Sequence, residues 1–209
     1  MIYVLMALGG LAQIWAWRLV AVRYLSVWTG SVPALVACGA AALISDRVSL
    51  SPKVSAPVAI VAGLAAGLAL FLATREFLVV ATASPTLRRA SREIYREQGS
   101  LSTPAAFVIS LALAVPGEEL FWRGLFQGKV SQVFGGFGGA LVTWGSYIVV
   151  NATSGRAALV AGAVVGGGVW GLLAWWTHGV LAPISCHAVW TGLMLVRPPL
   201  PSRGSGLRA

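Results

Sequence analysis

Acidic residues are scarce: six Asp and Glu in 209 residues, and only 10% of the chain is charged at all. A soluble domain of this length would carry roughly a quarter charged residues. The hydrophobic fraction is 57% and the mean hydropathy +0.82. These values exclude an ordinary soluble enzyme and point to an all-α, polytopic membrane helix bundle. Cysteine is limited to Cys38 and Cys186, each inside an apolar run, so buried free thiols are expected and no disulfide framework is implied. The N-terminal stretch lacks a basic leader, and the first apolar run reads as a span rather than a cleaved signal. No H-E-x-x-H occurs, so a zinc site from Glu118, Glu119, His178 and His187 has no motif behind it.

What is present is apolar runs and arginine. About seven transmembrane helices are expected, over 1–22, 28–45, 56–83, 104–127, 134–153, 157–176 and 179–196. The chain divides into N-terminal transmembrane helices (1–83), an amphipathic or connector segment (84–103), a helix bundle (104–196) and a basic, disordered tail (197–209). Thr103 and Pro104 carry the chemistry of a helix start. The net charge of +9 sits in short gaps between apolar runs, a topogenic pattern and not a nucleic-acid footprint. With an outer N-terminus, ten arginines fall inside and three cations outside, which puts the C-terminus in the cytoplasm. Thirteen of the fifteen basic residues are Arg, the bias of a high-GC genome, and a bacterial cell membrane is the expected location. Glycines at 135–139 and 162–171 predict close packing of the fifth and sixth spans.

The stretch "PGEELFWRGLFQG" (116–128) breaks the apolar pattern. A charge at the centre of a membrane helix costs about 2.5–3.5 kcal/mol on insertion scales. Partners or water must offset that. Glu119 and Arg123 are four apart, hence on one helical face, and can neutralise each other. Glu118 projects about 100° away and has no such local partner. Pro116 removes a backbone hydrogen bond and Gly117 loosens the same turn, so a hydrated pocket beside Glu118 is expected. Further along, Tyr147 and Asn151 share a face, as do His187 and Thr191. A kink that only ties helices together, or a proton site in a small transporter, fits the same charges.

Together, Glu118-Glu119-x-x-x-Arg123 with its trailing "F-W-R-G", the Tyr147-x-x-x-Asn151 span and "GVLAPISCHAVWT" resemble the CPBP family. These are the CAAX-protease and bacteriocin-processing (Abi) intramembrane glutamic endopeptidases. The resemblance covers roughly residues 104–196. It implies hydrolysis of a peptide bond by water activated at Glu118. His187, Asn151 and Thr191 would be further catalytic positions, with Glu119, Arg123 and Tyr147 as structural support. It implies a peptide or protein substrate in the lipid bilayer and no cofactor, leaving a metal requirement open. Asn151 stands where the family usually has histidine, and Thr191 where it usually has asparagine or aspartate. An inactive member that binds a membrane peptide or partner in the same cavity is the alternative.

Overall fold

The computed structural model describes residues 1–45, 48–49, 53–81 and 101–198, with 79–81 described as backbone only. Segment 84–100 and the tail beyond 198 lie outside the described residues. The described chain is helical, with no strand among these residues. Its helices are α1 (Ile2–Ala21), α2 (Ser31–Ile44), α3 (Ala56–Ala81), α4 (Thr103–Ile109), α5 (Val115–Glu119), α6 (Gly128–Ala152), α7 (Ala157–Thr177) and α8 (Leu181–Val196). Two π-helical stretches, Ser110–Ala114 and Leu120–Gln127, join α4 to α5 and α5 to α6.

Four helical runs are long and apolar enough to cross a membrane: Ile2–Ala21, Ala56–Leu78, Thr103–Ala152 and Ala157–Thr177. A count of seven spans is therefore not established. The expected spans 104–127 and 134–153 form one 50-residue helical run, Thr103–Ala152. It is interrupted at Gly135, whose φ of 74° and ψ of 164° suit only glycine. Helices α2 and α8 have 14 and 16 residues. At ~1.5 Å per residue they are shorter than a hydrocarbon core of ~30 Å. The start of α4 also differs by one residue from expectation. Ser102, not Thr103, is the cap, because its Oγ is the side-chain oxygen that accepts from the third-residue amide, that of Ala105, at 3.4 Å.

The exterior is apolar. Leu8, Leu11 and Trp15, which share one face of α1, are 59%, 60% and 68% exposed. In water such a stripe would be a liability; against lipid tails it is the matching surface. The interior inverts this, burying Gln13, Glu119, Arg123, Gln127, Asn151 and His187 among Trp122, Trp170, Phe121 and Leu125.

With no hydrophobic drive between helices in lipid, close approach must come from small residues. Gly63 and Gly67, four apart on α3, supply it against α8. A Cβ at Gly63 would strike the Ala182 carbonyl oxygen, and one at Gly67 would lie 2.6 Å from the Cys186 carbonyl oxygen. This G-x-x-x-G pair seats the helix that carries His187. Trp190 on α8 donates its indole N–H to Thr74 Oγ1 on α3 at 3.2 Å, fixing the same interface. Both cysteines are free and buried.

Candidate active site

Pro116 sits between the two π-helical stretches. Proline lacks the N–H of the regular ladder and crowds the carbonyl four residues back. A wider π register on each side accommodates it while keeping the rod continuous, and such turns commonly mark functional sites. Gly117 lets the rod cross α2 at contact distance. A Cβ on Gly39 of α2 would lie 2.5 Å from the Gly117 Cα, and one on Gly117 would lie 2.6 Å from the Leu35 carbonyl oxygen. The two glutamates follow immediately.

They diverge as helical geometry requires. Glu119 is fully buried. One of its oxygens, Oε1, accepts from Arg123 Nη1 at 3.4 Å and from His187 Nδ1 at 2.8 Å. Because an ionised carboxylate only accepts, Nδ1 carries the proton in that bond and Nε2 of a neutral ring is left bare. Glu118 is partly buried, and its Oε1 accepts from the Tyr147 hydroxyl at 2.7 Å. His187, Glu119 and Arg123 lie close enough to Glu118 to act on it electrostatically. Side chains from α5, α6 and α8, distant in sequence, thus converge.

Aromatic rings wall the cluster. Trp170 of α7 stacks on the His187 imidazole, ring centres 3.6 Å apart and 15° from parallel. The Arg123 guanidinium lies 4.5 Å from the centre of the Tyr147 ring and 5.4 Å from that of Trp170. These cation–π contacts help hold a charge away from water. Arg123 Nη2 donates to the Gly167 carbonyl at 3.0 Å. A Cβ on Gly167 would lie 2.8 Å from the Tyr147 ring. The glycine-rich span therefore brings α7 against α6 and also offers a carbonyl to the buried arginine.

The remaining expected positions stand differently. Asn151 is buried, but its Nδ2 donates to the Tyr147 carbonyl at 2.9 Å, within its own helix. Thr191 is partly buried, one turn beyond His187 on α8. His187, expected as a catalytic position, has its hydrogen bond to Glu119. His178 caps α7 in the left-handed conformation, φ 54°. It lines a cavity that Arg123 also lines. Among the described residues no three His, Cys, Asp or Glu side chains group as they would to hold a metal ion.

Two participants escaped the sequence reading. Trp170 was taken as part of a packing span. Gln127 lies four residues after Arg123, and its Nε2 donates to the Gly171 carbonyl at 3.0 Å. Arg123 and Gln127 thus form two rungs onto Gly167 and Gly171, with the same spacing of four on both helices. That matched spacing was the available signal. Gln127→Leu removes the second rung, and its expected cost is about 1 kcal/mol. A detergent-solubilised thermal melt a few degrees below the parent is the check; an unchanged melt would show that the rung contributes nothing.

Residues 100–193, with every side chain of this cluster, match the family model described as Type II CAAX prenyl endopeptidase Rce1-like. That segment is similar to the Rce1-like family. The match spans a little under half of the sequence and runs from just before α4 into the last turn of α8. The activity described for that family is that of a CAAX prenyl endopeptidase. Among curated proteins and solved structures, none matches the chain.

Proposed function

We propose that the chain is an intramembrane endopeptidase in which Glu118 activates water for attack on a peptide carbonyl. The convergence of Glu118, Tyr147, Glu119 and His187 from three helices is the observation that carries this reading. Tyr147 holds one oxygen of Glu118, leaving the other to take a water proton. The hydroxide adds to the carbonyl carbon, and its electrons move onto the carbonyl oxygen. His187, tied to Glu119 through Nδ1, takes up a proton from solvent on Nε2 and as an imidazolium donates that N–H to the oxyanion. Collapse breaks the C–N bond, and the proton held by Glu118 passes to the leaving nitrogen. Glu119 and Arg123 act by positioning: the pair anchors His187 to the rod that carries Glu118. The test is cleavage of a prenylated C-a-a-X peptide by the purified protein in a bilayer. Turnover supports the reading, and a parent protein that binds but never cuts sinks it.

The bacterial location and cytoplasmic C-terminus belong to the same proposal. They are supported by the excess of arginine in the segments that this orientation places inside.

One observation favours the non-catalytic alternative. The Asn151 amide is spent on the Tyr147 carbonyl, and an amide cannot take a proton from water. On that reading the parent binds peptide without turnover. Asn151→His combined with Thr191→Asn is then expected to create cleavage, with a gain on the order of 10²-fold over background. Cleavage assays of parent and double variant side by side decide between the two.

A further inference from the structure

Arg123, Gln127, Ser131, Gln132 and His178 help to line a cavity of about 370 Å³, and no acid is among its described lining residues. Arg123 is 4% exposed and contributes to its wall. Its counter-charge is loose: Glu119 contacts only Nη1, at 3.4 Å, and shares that oxygen with His187. Arg123 Nε has no hydrogen-bond partner among the described residues. Gln132 accepts from Lys129 Nζ at 2.8 Å, which holds a second cation at the cavity's edge. Cations and hydrogen-bond donors face a space that no carboxylate among the described residues lines, so its complement is an anion.

We infer that this cavity receives the free C-terminal carboxylate of the peptide. The inference rests on the hydrolytic reading for the position of the scissile carbonyl, and its length argument follows from that position. A C-a-a-X box ends three residues past its cysteine. Three extended residues reach ~10 Å. On a rise of ~1.5 Å per residue, Arg123 and Gln127 lie at most roughly 7.5 and 13.5 Å along the axis from Glu118. A peptide lying along the rod with its scissile carbonyl at Glu118 therefore ends between these two side chains. The guanidinium and the neighbouring donors meet a terminal carboxylate there, and an endopeptidase gains a ruler that measures its cut from the chain end.

The experiment uses the full chain carrying Glu118→Gln, in nanodiscs of zwitterionic lipid, so that binding is read without turnover. Two prenylated C-a-a-X peptides are compared, identical except that one ends in a carboxylate and the other in an amide. The acid is expected to bind about tenfold tighter, the scale of a hydrogen bond to a charged group. Arg123→Gln is expected to erase that preference. Should it fail to fold, Lys129→Ala with His178→Gly, which suits the left-handed backbone at 178, is expected to shrink it. Equal affinity for acid and amide overturns the proposal, as does a preference that survives these changes. If the parent shows the acid preference yet never cuts, the cavity assignment stands and the hydrolytic reading falls alone.

Discussion

Glu118→Gln is expected to lower peptide cleavage by 10²–10⁴-fold, the usual contribution of a general acid–base group, while leaving the melting temperature close to that of the parent. The substitution keeps size and shape. Its amide oxygen still accepts from the Tyr147 hydroxyl, which reaches Glu118 at 2.7 Å. Only the capacity to hold a proton taken from water is lost. The neighbouring change should behave in the opposite way. Glu119→Gln removes the single carboxylate that faces both Arg123 and His187 in a fully buried position. Breaking a buried pair from one side costs about 3–5 kcal/mol, because the remaining charge is stranded. Its melt should fall by many degrees and activity should fall with it. Adjacent glutamates, one affecting rate alone and one affecting stability and rate together, are the signature of this division of labour. Undiminished cleavage by a well-folded Glu118→Gln protein sinks the assignment.

The division was partly legible in the sequence because it follows from geometry inside one helix. A spacing of four puts Glu119 over Arg123, and the ion pair is present at 3.4 Å. A spacing of one turns Glu118 elsewhere. The helical class and membrane character were legible too, since apolar runs of this length leave few other solutions. What crosses between helices was not. Glu119 and His187 are 68 positions apart, and nothing in either segment says which glutamate the imidazole meets. That choice depends on how α8 is seated on α3, hence on Gly63 and Gly67, whose spacing reads equally well as lipid-facing filler. The span count is not confirmed, for a related reason. Gly135 lies in a glycine-rich stretch where any of several residues could break a helix, and only the fold shows which one does. Gln127 was missed because a lone glutamine carries no charge to attract notice, although it continues the buried face of Glu119 and Arg123 by one more turn.

Gly39→Ala, a single methyl group on a helix outside the matched family segment, is expected to reduce cleavage by about 10²-fold. The added carbon would lie 2.5 Å from the Gly117 Cα and 2.8 Å from its carbonyl oxygen. Both are backbone atoms, so no side chain can swing aside to relieve the contact. The rod must retreat from α2 by about 1 Å to reach ordinary van der Waals distance. Gly117 immediately precedes Glu118, so the retreat moves the carboxylate itself. Displacement on this scale can cost 10²-fold when reacting atoms must sit about 3–3.5 Å apart. Overpacking adds about 1–3 kcal/mol of destabilisation, smaller than the expected loss in Glu119→Gln. The measurement is therefore a pair: a melt lowered by a few degrees and a rate lowered far more, at a temperature where the variant is folded. Gly10→Ala, with nothing within 4 Å of the new carbon, is the matched control and should alter neither. If Gly39→Ala cleaves at the parent rate, the crossing at Gly117 does not set the position of Glu118, and the helix contacts that hold the carboxylate lie elsewhere in the bundle.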